Sequence, residues 1–126
     1  MSQKILIVDD EVHLRTLLHQ TLEELEDVGI ELHAASNGEE ALSAIESMRP
    51  DLVFLDVMMP KLSGFDVCER VKKGLGLSNV YIVLLTAKGQ EFDRQRGVQV
   101  GADLYMTKPF DPDALLMKAR EVLGLS

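Results

Sequence analysis

Apolar and polar positions follow two rhythms along this chain. Apolar runs of strand length occur at residues 5–8, 30–35, 52–55, 80–85 and 104–106, separated by stretches with helical spacing. Leu14, Leu17, Leu18, Leu22 and Leu25 recur every three or four positions, which predicts one apolar stripe on a first helix. A second helix is predicted to open at Asn37, a residue suited to the N-cap. Glu40 follows three positions later, as in a capping box, ahead of Ala41, Leu42 and Ile45. The last helix has Asp111 at its cap and Pro112 at its first position, where a missing N–H costs nothing, then Leu115, Ala119 and Val122, with Gly124 as a stop. A fourth helix over residues 90–100 is polar apart from Phe92, Val98 and Val100, and Gly89 and Gly101 flank it. So little apolar surface suits a mobile element.

Strands that alternate with single helices imply right-handed crossovers and a parallel sheet covered on both faces, and near-continuous apolar strands are what such a sheet requires. The expected fold is α/β and doubly wound. No repeat, linker or low-complexity stretch interrupts it, so residues 1–126 are expected to form a single domain.

Composition narrows the picture. The 21 acidic residues outnumber the 13 basic ones, and a net charge of -8 argues against direct binding to nucleic acid. The lone Cys68 lies in a stretch that reads as helix. It cannot form an internal disulfide, and a small packing residue in a reduced compartment is the simplest reading. The apolar run before Asp9 is only four residues long, too short for a signal peptide or a membrane span, so a cytoplasmic location is expected.

The polar residues that interrupt the apolar runs fall at one edge of the sheet. Asp9 and Asp10 follow the first strand, Asp56 the third, Thr86 the fourth and Lys108 the fifth. Ligands bind at that edge in open α/β sheets, where the strand order reverses. Each residue alone has an ordinary explanation, such as a cap, a strand-end hydroxyl or a solvated lysine. Together at the ends of four strands, they describe a site. Three converging carboxylates repel one another between apolar strands and call for a cation. Oxygen ligands without His or Cys favour a hard ion, and a small site that keeps waters suits Mg²⁺ better than Ca²⁺, with Mn²⁺ as a substitute. A carboxylate can also attack phosphorus to form an acyl phosphate, and Lys108 and Thr86 supply the cation and hydroxyl that phosphoryl transfer needs.

Ile5-Leu6-Ile7-Val8-Asp9-Asp10, Leu55-Asp56-Val57-Met58-Met59-Pro60 with Gly64, Leu85-Thr86-Ala87, and Gly101-Ala102-Asp103 leading to Lys108-Pro109-Phe110 form a spaced set. In this set the chain resembles the receiver domains of two-component signalling systems, in particular the single-domain chemotaxis-type regulators. The resemblance spans the whole chain. It implies a flavodoxin-like five-stranded parallel sheet in the order 2-1-3-4-5. It makes Asp56 the phospho-acceptor, Asp10 a direct metal ligand and Asp9 one acting mainly through water, with the backbone carbonyl of Met58 also on the metal. Lys108 would bind a phosphoryl oxygen, a cis Lys108-Pro109 peptide is implied, and Thr86 and Tyr105 would form a switch pair. Tyr105 alone is also explained as an aromatic residue packed at a sheet edge.

The same resemblance implies a histidine kinase or histidine phosphotransfer protein as donor. Output would pass through the surface of the fourth helix, fifth strand and fifth helix to a protein target or an effector domain, as a monomer or a phosphorylation-dependent dimer. Winged-helix transcription factors of the family usually carry acidic, Glu and Arg residues where this chain has Leu104, Ala114 and Lys118, which counts against their salt-bridged dimer. Met58 and Lys88 stand two residues beyond Asp56 and Thr86, where a hydrolytic water would approach, and an apolar Met58 cannot orient that water. A receiver cut from a longer regulator is the first alternative. An aspartyl-phosphate hydrolase is a second, but the position of its general acid is Met58. A nucleotide-binding domain would need a glycine-rich loop where Asp9-Asp10-Glu11 stands. His13, His19 and His33 show no four-helix pattern and read as ordinary surface or strand residues.

Overall fold

The computed structural model describes residues 2–87 and 91–125. Among them, β1 (Lys4–Val8), β2 (Glu31–Ala35), β3 (Leu52–Asp56), β4 (Tyr81–Ala87) and β5 (Leu104–Lys108) form one parallel sheet in the order β2-β1-β3-β4-β5. The connecting helices are α1 (Val12–Leu22), α2 (Gly38–Met48), α3 (Gly64–Glu69), α4 (Glu91–Gln99) and α5 (Pro112–Val122). This is the doubly wound, flavodoxin-like arrangement expected.

Successive residues of a strand point to opposite faces, so each apolar run feeds two cores. Ile5, Ile7, Leu52, Phe54, Val83 and Leu85 pack with Leu18 and Leu22 of α1 and Leu115 and Ala119 of α5. Leu6, Val8, Val53, Leu55, Ile82 and Leu84 pack on the other face with Ala41 and Ile45 of α2, Val67 and Cys68 of α3, and Val100 beyond α4. Both faces are covered, which is why the central strands show no polar alternation.

The helix signals hold with local adjustments. The Asn37 side chain accepts from the Glu40 N–H at 2.8 Å, but the Glu40 carboxylate reaches back to the N–H and hydroxyl of Ser36, one residue outside the expected box. Asp111 caps α5 through the Asp113 N–H, and Gly124, at φ 73°, ends it. On α1, Leu18 and Leu22 are buried but Leu17 is 41% exposed. The stripe lies one position from where Leu17 would place it. Beyond α1 the chain tightens into a 3₁₀ segment, Glu23–Val28, that buries Leu25. Ile30 and Val80 lie outside the strands and instead close the turns before them, donating to Leu25 and Leu77. The expected start of the fourth helix at Gln90 lies outside the described residues, as do Lys88 and the side chain of Phe92.

The third crossover was marked in the sequence by Cys68 alone. Ser63 and Asp66 form a full capping box at the start of α3, and the helix widens into a π-type turn, Arg70–Gly74. That turn ties to the carboxyl end of α4. Lys72 pairs with Asp103 at 2.7 Å and donates to the Val80 carbonyl at 2.6 Å. Lys73 donates to the Gln99 carbonyl at 2.6 Å, and the Cys68 thiol meets the Val100 carbonyl.

Candidate functional site

The order of the sheet reverses between β1 and β3, and their carboxyl ends open the crevice where such folds bind ligands. Asp9 directly follows β1 and Asp56 ends β3. Thr86 and Lys108, expected just beyond their strands, lie within them, because β4 and β5 stay in register through Thr86↔Thr107 and Ala87↔Lys108. Asp9 and Asp56 continue the parity of the residues that face α1 and α5, and Lys108 that of Leu104 and Met106 on the same face. Thr86 continues the parity of Ile82 and Leu84, toward α2, α3 and α4, and Tyr105 packs on that second face. The charged group and the Thr86–Tyr105 pair therefore sit on opposite faces of one sheet edge.

Asp9, Asp56 and Thr86 are the buried polar residues among those described, at 1%, 3% and 1% exposure, while Asp10 is exposed. Oxygens of Asp9, Asp10 and Asp56 lie within 4.8 Å of one another. Lys108 Nζ stands 2.8 Å from Asp56 Oδ1 and 3.3 Å from Asp9 Oδ2. Asp56 Oδ1 is buried without a hydrogen bond of good direction, so the ammonium serves it as an ion-pair partner only. Burial is the main reason the Asp56 carboxyl is pushed up to about 6; Lys108 opposes that rise and Asp9 adds to it. Burial alone would lower the Lys108 ammonium, but Asp56 and Asp9 outweigh it and hold it above its ordinary value.

Three close carboxylate oxygens against one lysine leave a local excess of negative charge, and Asp56 Oδ1 is buried there without a hydrogen bond of good direction. An all-oxygen set of this kind fits a hard divalent cation. Beside it opens a cleft of about 410 Å³ lined by Glu11, Leu14, Asp56, Met58, Lys108 and Pro109. Met58 is 70% exposed at its mouth, and Lys108-Pro109 is a cis peptide.

Two contributors carried no role in the sequence reading. A Cβ on Gly64 would collide with the Asp56 carbonyl and stand 2.9 Å from Val57 Cα, so only glycine lets the start of α3 close over the end of β3. Arg15 donates to the Asp9 carbonyl at 2.7 Å. Gly64 belongs to the spaced set that begins at Leu55, whereas an arginine on a helix carries no signal of a loop contact. On the opposite face, Arg94 lies over the Tyr105 ring at 5.0 Å, and Gly97 brings α4 close to Leu84 and Tyr105.

The family model for the response regulator receiver domain matches residues 5–120. The chain is 45% identical over 126 residues to the alkaline phosphatase synthesis transcriptional regulatory protein PhoP of Bacillus subtilis, covering all of this chain and 50% of that protein. It is 47% identical over 122 residues to the probable transcriptional regulator ycf27 of Pyropia yezoensis, covering 97% of this chain and 48% of that protein. The chain thus spans about half the length of these curated relatives. Among solved structures, the Vibrio cholerae chemotaxis protein CheY4 superimposes with a TM-score of 0.83 at 33% identity, covering 97% of this chain and 99% of that one. With this match over nearly its full length, the chain belongs to the response regulator receiver domains, the phospho-accepting modules of two-component systems.

Proposed function

We propose that Asp56 is the phosphoryl acceptor of this domain. The observation that carries the assignment is its position: a buried carboxylate at the end of β3, 2.8 Å from Lys108 and grouped with Asp9 and Asp10. A carboxylate oxygen of Asp56 attacks phosphorus as the bond to the donor nitrogen, or to the oxygen of a small acyl phosphate, breaks. The bonding pair leaves with the donor and an aspartyl phosphate remains. Lys108 holds a phosphoryl oxygen on one side, and the Thr86 hydroxyl takes another once the group is in place. Asp10 would hold Mg²⁺, or Mn²⁺, directly, with Asp9 mainly through water and with Asp56 and the Met58 carbonyl completing the set. The bound ion offsets the carboxylate charges and the charge of the incoming phosphoryl group.

The donor in this reading is a sensor histidine kinase or a histidine phosphotransfer protein in the cytoplasm. Output passes through the α4, β5 and α5 surface, where Thr86 draws toward the phosphoryl group and Tyr105 follows, toward a protein target or an effector domain. The domain works as a monomer or as a phosphorylation-dependent dimer and turns over only its own phosphoryl group. A hydrolase would need a proton donor where the exposed thioether of Met58 stands.

Incubation with Mg²⁺ and acetyl phosphate, followed by intact-mass measurement, tests the assignment. Wild type is expected to gain about 80 Da, one phosphoryl group, and Asp56→Asn nothing. Equal labelling of both would remove Asp56 from the role.

A further inference from the structure

We propose that Arg15 is a positioning residue for the metal-binding edge: by clamping the Asp9 carbonyl it sets the direction in which the Asp10 carboxylate points. This rests on the reading of Asp9, Asp10 and Asp56 as a Mg²⁺ site.

Every polar group of Asp9 is held. Its N–H donates to the Ala35 carbonyl at 3.3 Å, and its carbonyl accepts from Arg15 Nη1 at 2.7 Å. Its Oδ1 accepts from the Glu11 N–H at 2.9 Å, and its Oδ2 faces Lys108 at 3.3 Å. Asp10 is the opposite case. It is exposed, and its side chain makes no hydrogen bond or ion pair among the described residues, yet its carboxylate converges with those of Asp9 and Asp56 within 4.8 Å. Its aim must come from the backbone.

The Asp9–Asp10 peptide is planar, so fixing the Asp9 carbonyl fixes the N–H and the Cα direction of Asp10. Arg15 suits that task, because a charged donor makes a short, strong bond to a carbonyl and the guanidinium fork is rigid. It closes the first turn of α1, whose N-cap Glu11 is tied to the same loop by its N–H donating to Asp9 Oδ1 at 2.9 Å. Helix and loop thus fix each other.

Charge alone predicts the reverse effect. Arg15 is a cation beside a proposed cation site, so its removal would strengthen Mg²⁺ binding if repulsion were all that mattered. Removing a positioning partner weakens binding instead.

Calorimetric titration of Mg²⁺ into the metal-free protein separates the two, with wild type, Arg15→Met and Arg15→Lys compared and the thermal unfolding of each metal-free form measured alongside. Arg15→Met keeps the aliphatic stem and is expected to bind on the order of 10-fold more weakly, as loss of an outer partner does at other metal sites. Its metal-free form is expected to unfold at a lower temperature, since the Asp9 carbonyl loses its donor, but to stay folded throughout the titration. Arg15→Lys keeps a charged donor and is expected to recover most of the affinity. Binding by Arg15→Met as tight as wild type, or tighter, overturns the inference and leaves the metal site standing. Equal weakness of Arg15→Lys and Arg15→Met also overturns it, since the donor to Asp9 would not be the cause. Absence of Mg²⁺ binding in wild type removes the site and the inference together.

Discussion

Lys108 Nζ stands 2.8 Å from Asp56 Oδ1, although all of β4 lies between the strands that carry them. The pair spans the sheet edge, yet burial still outweighs it and leaves the Asp56 carboxyl near 6.

That balance has a sign. The folded value of about 6 lies above the ordinary value of 3.8, so the stability this group contributes is fully present below 3.8 and is lost as pH rises through about 6. At about 1.4 kcal/mol for each pH unit, the loss is at most about 3 kcal/mol. Urea unfolding of metal-free wild type and Asp56→Asn is expected to diverge as pH rises over that window, with the Asn variant the more stable above it. A constant difference at every pH would contradict the prediction. Saturating Mg²⁺ should reverse the order, because wild type gains a bound ion that the variant holds less well.

The exposed Met58 sets a second expectation. Its side chain offers no donor and only a weak sulfur acceptor to a water approaching the proposed aspartyl phosphate. Met58→Asn is expected to shorten the phosphate lifetime several-fold, read as loss of the phosphorylated mass with time. Equal lifetimes would assign the protection elsewhere.

Thr86 and Tyr105 lie on the face opposite the charged group, and the Thr86 hydroxyl is proposed to reach the phosphoryl group only once it is in place, so transmission should suffer more than acceptance when that hydroxyl is removed. Thr86→Val keeps the shape and removes the hydroxyl. It is expected to accept phosphate and yet to lose the phosphate-induced change in amide exchange across α4 and β5. A full response in Thr86→Val would take Thr86 out of the switch.

Gly64 predicts a packing penalty. Gly64→Ala places a methyl group against the Asp56 carbonyl and Val57, and about 2–3 kcal/mol of destabilisation is expected from that overpacking. A denaturation midpoint unchanged from wild type would show that the start of α3 yields freely.

Cys68 is buried, and burial pushes its thiol up to about 12. The native protein should resist thiol alkylation at neutral pH and react stoichiometrically once unfolded in urea. Rapid native labelling would show that the face holding α3 and the π-type turn opens readily.

The sheet was legible because buried parallel strands are apolar on both faces, and Asp9, Asp56, Thr86 and Lys108 stood out as polar residues ending such runs. What escaped has specific physical causes. Three-and-four spacing admits more than one helix rotation, so Leu17 looked like core and is not. Strand ends follow from pairing with a neighbour, which local composition does not encode, and so Thr86 and Lys108 lie inside β4 and β5. Hydrogen bonds from long side chains to distant carbonyls, such as Arg15 to Asp9 and Lys73 to Gln99, depend on tertiary placement and leave no periodicity.

The ties from α3 and the π-type turn give α4 two unlike ends. Lys73, Cys68 and Lys72 hold the chain at Gln99, Val100 and Asp103, within a few residues of one another. A displacement that preserves them can only swing α4 about its carboxyl end, like a door on its jamb. The travel then grows along the helix toward Glu91, the end nearer Thr86 in the chain. A small pull there would become a change of tilt along the helix, and Gly97 stands where α4 comes close to Leu84 and Tyr105.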